Sequence, residues 1–186
     1  GTVTMYAGDC LKDMFRMSNG TGLRNMTLTG LLGSLGTPDN NLIQKPTGGS
    51  YVALDPGSGP TDTSVWIFRR SPYIQNVTTF GVGCTGLKVD GGLHNGGFKS
   101  ATANDFTQII SDGIGAWVQN GGRAELVSVF TYYAHVGMYA KDGGIIRATN
   151  GNNSYGDFGS VADGLDPDET VKFGVILHDQ RDFRLW

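Results

Sequence analysis

The chain has 186 residues, 30 of them glycine, with 17% charged residues and a net charge of −3. That length suits one domain with a continuous core, and the slightly acidic balance excludes a strongly basic nucleic-acid-binding face. No apolar run reaches the roughly 18 residues that a membrane span needs, so no membrane partner is expected.

Residues 1–12 read as a leading cap, with no secretory leader at Gly1. From Met14 onward, Phe15 and Met17 precede an Asn19-Gly20 turn, and Leu23, Met26 and Leu28 follow it. Residues 33–63 are rich in Gly, Pro, Asp, Asn and Ser, with one apolar patch at Tyr51–Leu54. They read as a long excursion with room for a hairpin of its own. Regular strands resume at Ser64–Phe68, at Ser71–Thr78 and at Gly86–Gly92. A second excursion spans 93–104 and carries His94 and Asn95, and Phe106–Ile110 is the next strand. Beyond Gly164 the polar break Asp166–Glu169 leads to Val171–Leu177, a final strand that caps the domain, pairs with a partner or links onward. Residues 1–164 are thus the main domain, and 165–186 a capping or linking strand.

Between those points the chain repeats itself. Residues 112–133 and 134–155 are two copies of one 22-residue unit, and Ile114, Val136 and Phe158 recur at that spacing, as do Gly115, Gly137 and Gly159. A period in the twenties with apolar alternation and Gly-Gly turns marks a solenoid of strands. The fold expected is all-β: a right-handed single-stranded parallel β-helix of about 22-residue coils, its hand following the usual one of parallel crossovers. Six or seven coils would make a prism roughly 30 Å long. Strict alternation places Ile114, Ala116 and Val118 inside with Val136, Met138 and Ala140, then Phe158, Ser160 and Ala162. A second inward face pairs Ala124 with Ile146 and Leu126 with Ala148. The same alternation puts Trp117, Tyr139 and Val161 outside, one above another, and pairs Glu125 with Arg147 on the surface.

The strings Ser71–Asn76, Gly86–Gly91, Val127–Tyr133 and Asn150–Gly156 resemble β-helix segments of virion structural proteins in T4-like tailed bacteriophages, the marine cyanophage versions above all. The resemblance covers residues 12–164. It implies a tail-associated or other structural component of the extracellular particle, usually part of a longer and often oligomeric protein. Fold-level analogy adds a homotrimer that contacts other virion proteins and host-surface polysaccharide. It brings no catalytic motif.

Candidate chemistry is sparse. β-Helices can carry polysaccharide lyases and glycoside hydrolases, which need two carboxyl groups about 5–9.5 Å apart. Asp105, Asp112 and Glu125 are the carboxylates to consider, although Asp and Asn in such chains mostly serve turns. Asn120 stacks over Asp142 as one such turn pair. His94, His135 and His178 are far apart, and His135 is expected to point to solvent. Cys10 and Cys84 have no metal or redox spacing and read as small buried hydrophobes, so no metal or cofactor is expected. The aromatic residues are more telling. Trp117 over Tyr139 forms a stripe that is covered by an excursion, buried in a subunit interface, or open as a glycan platform. His94 and Asn95 would flank such a binding surface. Two readings stand: a structural and interaction module of a phage particle, and a polysaccharide depolymerase on the same scaffold.

Overall fold

The computed structural model describes residues 3–18, 20–39, 43–54, 71–92 and 100–164. Among them there is no helix. The strands are β1 (Val3–Tyr6), β2 (Phe15–Met17), β3 (Gly22–Leu32), β4 (Leu35–Asp39), β5 (Ile43–Pro46), β6 (Ser50–Leu54), β7 (Tyr73–Val82) and β8 (Thr85–Asp90), then β9 (Ser100–Ser111), β10 (Ile114–Gln119), β11 (Arg123–Tyr132), β12 (Val136–Lys141), β13 (Ile145–Thr149), β14 (Asn152–Ser154) and β15 (Phe158–Asp163).

They build two parallel sheets that the chain visits in alternation. One sheet has the order β1-β3-β7-β9-β11-β13, with β14 also on β11; the other has the order β15-β12-β10-β8-β6-β2. Each strand therefore pairs with one from the previous visit to the same sheet. The register bears out the 22-residue unit: Ile114 pairs with Val136 and Val136 with Phe158, Ala124 with Ile146, and Glu125 with Arg147. Parallel stacking satisfies the backbone groups and turns alternate side chains to opposite faces of each sheet.

The main core lies between the sheets. Leu23, Ile74, Ala103, Leu126 and Ala148 form one column, each paired with the next. Facing it, Val52, Leu87, Ala116, Met138 and Ser160 form another. Next to the first column runs a partly polar one, Leu28, Thr79, Gln108, Thr131 and Asn153.

The long strands bend at fixed points. Register places Asn25, Asn76, Asp105, Ser128 and Asn150 in one line, and all five have φ between 50° and 57°. Asn and Asp tolerate this left-handed conformation better than other side chains, which accounts for their presence there. Asn76 Nδ2 donates to Asn25 Oδ1 at 3.0 Å, and Asn150 Nδ2 to Ser128 Oγ at 3.2 Å. Two Asn-x-Ser/Thr triplets thus begin at bend residues.

Three expectations need correction. Tyr51–Leu54 belongs to no excursion: it is β6, buried throughout, between β2 and β8. The hairpin expected within 33–63 is the antiparallel pair β4-β5. Residues 100–104 likewise open β9, so Asp105 sits at a bend inside a strand. Finally, Ile114 and Val136 are in register and fully buried, but they cluster with Trp117 and Tyr139, whereas Ala116, Val118 and Met138 join the main core. Period-two alternation slips by one residue at Gly115. A Cβ there would lie 2.4 Å from Thr131 Cγ2, so Gly115 and Ala116 both face the other sheet.

Candidate functional site: a clasped aromatic wall

The outer face of the second sheet carries the column Ala53, Lys88, Trp117, Tyr139, Val161. Stacking of Trp117 on Tyr139 is as expected, with ring centres 6.0 Å apart. Their exposure is not: Trp117 is 7% exposed and Tyr139 is fully buried. The cover is the β4-β5 hairpin. Its Ile43 is buried in a second hydrophobic cluster with Ile114, Trp117, Val136, Tyr139 and Val161. Of the three readings of the stripe, the structure selects cover by an excursion.

Charged groups rim this wall. Lys45 Nζ of β5 and Lys88 Nζ lie 5.5 and 5.0 Å from the Trp117 ring centre, within cation–π range. Burial, then the charge of Lys141, holds the Lys45 ammonium below the ordinary lysine value. Tyr139 donates its hydroxyl to Asp163 Oδ2 at 2.7 Å. Burial first, and that carboxylate second, raise the phenol well above its ordinary pKa.

His135 is buried, not solvent-facing as expected. Its Nδ1 lies 2.7 Å from Asp157 Oδ2, its Nε2 accepts the Gln44 backbone N–H at 3.3 Å, and its ring meets Phe158 edge-on. The hairpin from the first excursion thus reaches across 91 residues to close on it.

The candidate carboxylates do not converge. Asp105 occupies the exposed bend line described above. Asp112, also exposed, has φ 53° and holds at its corner the place that Gly83 holds one visit earlier. Glu125 pairs with Arg147 at 3.2 Å, as expected; such an exposed pair contributes about 0–1 kcal/mol. Glu125 pairs in register with Thr102, three residues or roughly 10 Å along β9 from Asp105, and Asp112 is of order 20 Å beyond. Asn120 and Asp142 are stacked turn residues with positive φ. Among the described residues no group of three His, Cys, Asp or Glu side chains could hold a metal ion. Cys84 is buried, and burial pushes its thiol up to about 12; Cys10 is half-buried. His94, Asn95 and His178, with Ser64–Phe68 and the strand expected over Val171–Leu177, lie outside the described residues.

Two surface features escaped the sequence reading. Tyr133 and Tyr155, one repeat apart, stack with ring centres 5.7 Å apart, and both are exposed. Their spacing of 22 was the signal. At the far end of the described residues lies a hollow between the inward columns. Ala148 and Ala162 face this hollow of about 640 Å³, with Met138, Ile146 and Ser160 on its walls.

Comparison with protein-family models, with curated proteins and with solved structures finds no match.

Proposed function

We propose that the chain is a right-handed single-stranded parallel β-helix and that it serves as a non-catalytic structural module of a tailed-phage particle. In this reading it belongs to a tail or baseplate-fibre component, assembles as a homotrimer with other virion proteins, and offers its surface to host polysaccharide. Alternate visits to two parallel sheets, a bend line with one left-handed residue per visit, and the usual hand of parallel crossovers support the winding. The phage-like strings at 71–76, 86–91, 127–133 and 150–156 support the setting.

One observation carries the non-catalytic part: each candidate carboxylate already has a structural task. Asp105 and Asp112 sit at left-handed bends, and Glu125 faces Arg147. The depolymerase alternative needs two of them free to act across one bond.

Reducing-end release from host-surface polysaccharide tests the reading directly. No release with the wild-type chain, together with immunogold labelling of tails on intact particles and a trimeric mass in light scattering, is the expected outcome. Release that disappears in Asp105→Asn or Glu125→Gln would overturn it. A strict monomer at high concentration would remove the trimer.

A further inference from the structure

We infer that the β4-β5 hairpin is an acid-loosened clasp, with His135 as its latch. The argument is independent of the function proposed above.

The hairpin covers strands far from its own place in the chain. It leaves between β3 and β6, yet its Ile43 lies among residues of β10, β12 and β15. At its base it is well tied: Thr47 N donates to Ser34 O at 2.9 Å, and Gly48 N to Gly83 O at 2.8 Å. Toward its outer part, one polar tie to the wall among the described residues is Gln44 N–H to His135 Nε2, beside the Lys45 ammonium over the Trp117 ring.

That bond needs a lone pair on Nε2. With Asp157 Oδ2 accepting at Nδ1, the neutral imidazole carries its proton on Nδ1 and both bonds are satisfied. A second proton goes to Nε2, and a ring N–H then faces the backbone N–H of Gln44. The bond is lost and two donors oppose each other. The imidazolium keeps Asp157 as its counter-ion, so the proton is accommodated on the sheet side while the hairpin side loses its acceptor. Asp157 is the carboxylate at the ring. On the hairpin, Lys45 follows Gln44 and directs its ammonium to Trp117, among Lys88, Lys141, Asp142 and Asp163. Phe158 presents a neutral ring edge. Protonation therefore acts on one bond, and what it loosens is the cover over Ile114, Val136, Trp117 and Tyr139. Acid would weaken the cover over that apolar wall by one hydrogen bond while Ile43 keeps its seat.

Hydrogen exchange at the Gln44 amide, corrected for its intrinsic pH dependence, tests this. From about pH 7.5 to about pH 5, wild-type protection should fall roughly two- to tenfold, as expected for one hydrogen bond. Protection of Val118 in β10 should not change. In His135→Gln, whose amide oxygen can accept but does not titrate, the Gln44 profile should be flat. Equal profiles in wild type and His135→Gln, or unchanged wild-type protection, would overturn the latch. If His135→Gln does not fold, the imidazole ¹⁵N shifts of wild type decide: an Nε2–H tautomer at neutral pH contradicts the proposal, and an Nδ1–H tautomer lost together with Gln44 protection supports it.

Discussion

Thr131 donates its hydroxyl to the amide oxygen of Asn153, its register partner one repeat further on. The bond continues the polar column through the interior of the first sheet. Asn153 Nδ2 in turn donates to Gly159 O at 2.8 Å. Deeper in the column, the amide of Gln108 has no partner on either atom, nor does the Thr79 hydroxyl. Gln108 is fully buried and its Oε1 fills the space that a Cβ on Gly86 would take.

The unpaired amide makes Gln108 a stabilisable position. A buried polar group without a hydrogen bond costs about 1–3 kcal/mol. Gln108→Met keeps the length of the side chain and removes that cost. Urea denaturation should show a gain of roughly 1 kcal/mol or more at unchanged slope. A loss would mean that the amide is satisfied by a buried water.

The slip at Gly115 predicts the opposite result. A Cβ at Gly115 would lie 2.4 Å from both Gly137 O and Thr131 Cγ2, and the carbonyl is backbone. Gly115→Ala should cost about 1–3 kcal/mol through overpacking. An alanine tolerated without loss would place position 115 on the outer face, where strict alternation leaves room.

Sequence and structure part company at these same points. The 22-residue period was enough to pair 114 with 136 and 158, 124 with 146, and 125 with 147, because register in stacked parallel strands follows directly from repeat length. Alternation then assigned Ile114 to the wrong cluster, since a glycine has no side chain to reveal that two successive residues face inward. The outer face of Trp117 and Tyr139 was legible but the choice among its three covers was not, because the cover comes from Ile43, more than seventy positions away, in a segment with no repeat. His135 was misplaced for the same reason. Asp105 looked like a loop residue because its neighbours are small and polar, whereas its place in the bend line is visible only when the five strands are aligned.

Ile43 carries the hairpin's apolar seat. It is 1% exposed among residues of three other strands. Ile43→Ala should cost about 2–5 kcal/mol if the hairpin packs as part of the core. In a Trp66→Phe, Trp186→Phe background, the emission of Trp117 should also shift to the red. A cost below about 0.5 kcal/mol, the range of ordinary surface changes, would mean that the hairpin does not seal the wall.

Asp90 sets the acid limit at its turn. Burial raises its pKa, but bonds from Asn120 Nδ2, Gln119 Nε2 and Gly92 N–H, with Lys88 nearby, outweigh burial and hold the carboxyl below its ordinary value. A folded value below the unfolded one stabilises the fold above the unfolded pKa of about 3.9 and is lost as pH falls through the folded value. Wild-type stability should therefore fall below about pH 4, and Asp90→Asn should flatten that limb while costing roughly 1–3 kcal/mol at pH 7. An unchanged acid limb in the variant would assign the loss to other carboxylates.

Everything here depends on the chain returning above itself after 22 residues, and a cross-link reads that return directly. Parallel neighbours lie about 4.8 Å apart, inside the Cα range of about 4.4–6.8 Å that a disulfide needs. In a chain with Cys10 and Cys84 changed to alanine, Glu125→Cys with Arg147→Cys should close a disulfide under mild oxidation of the folded protein. Arg123→Cys with Arg147→Cys, two positions out of register, should stay reduced. If the second pair closes as fast as the first, or the first stays open, successive units are not stacked in the register described.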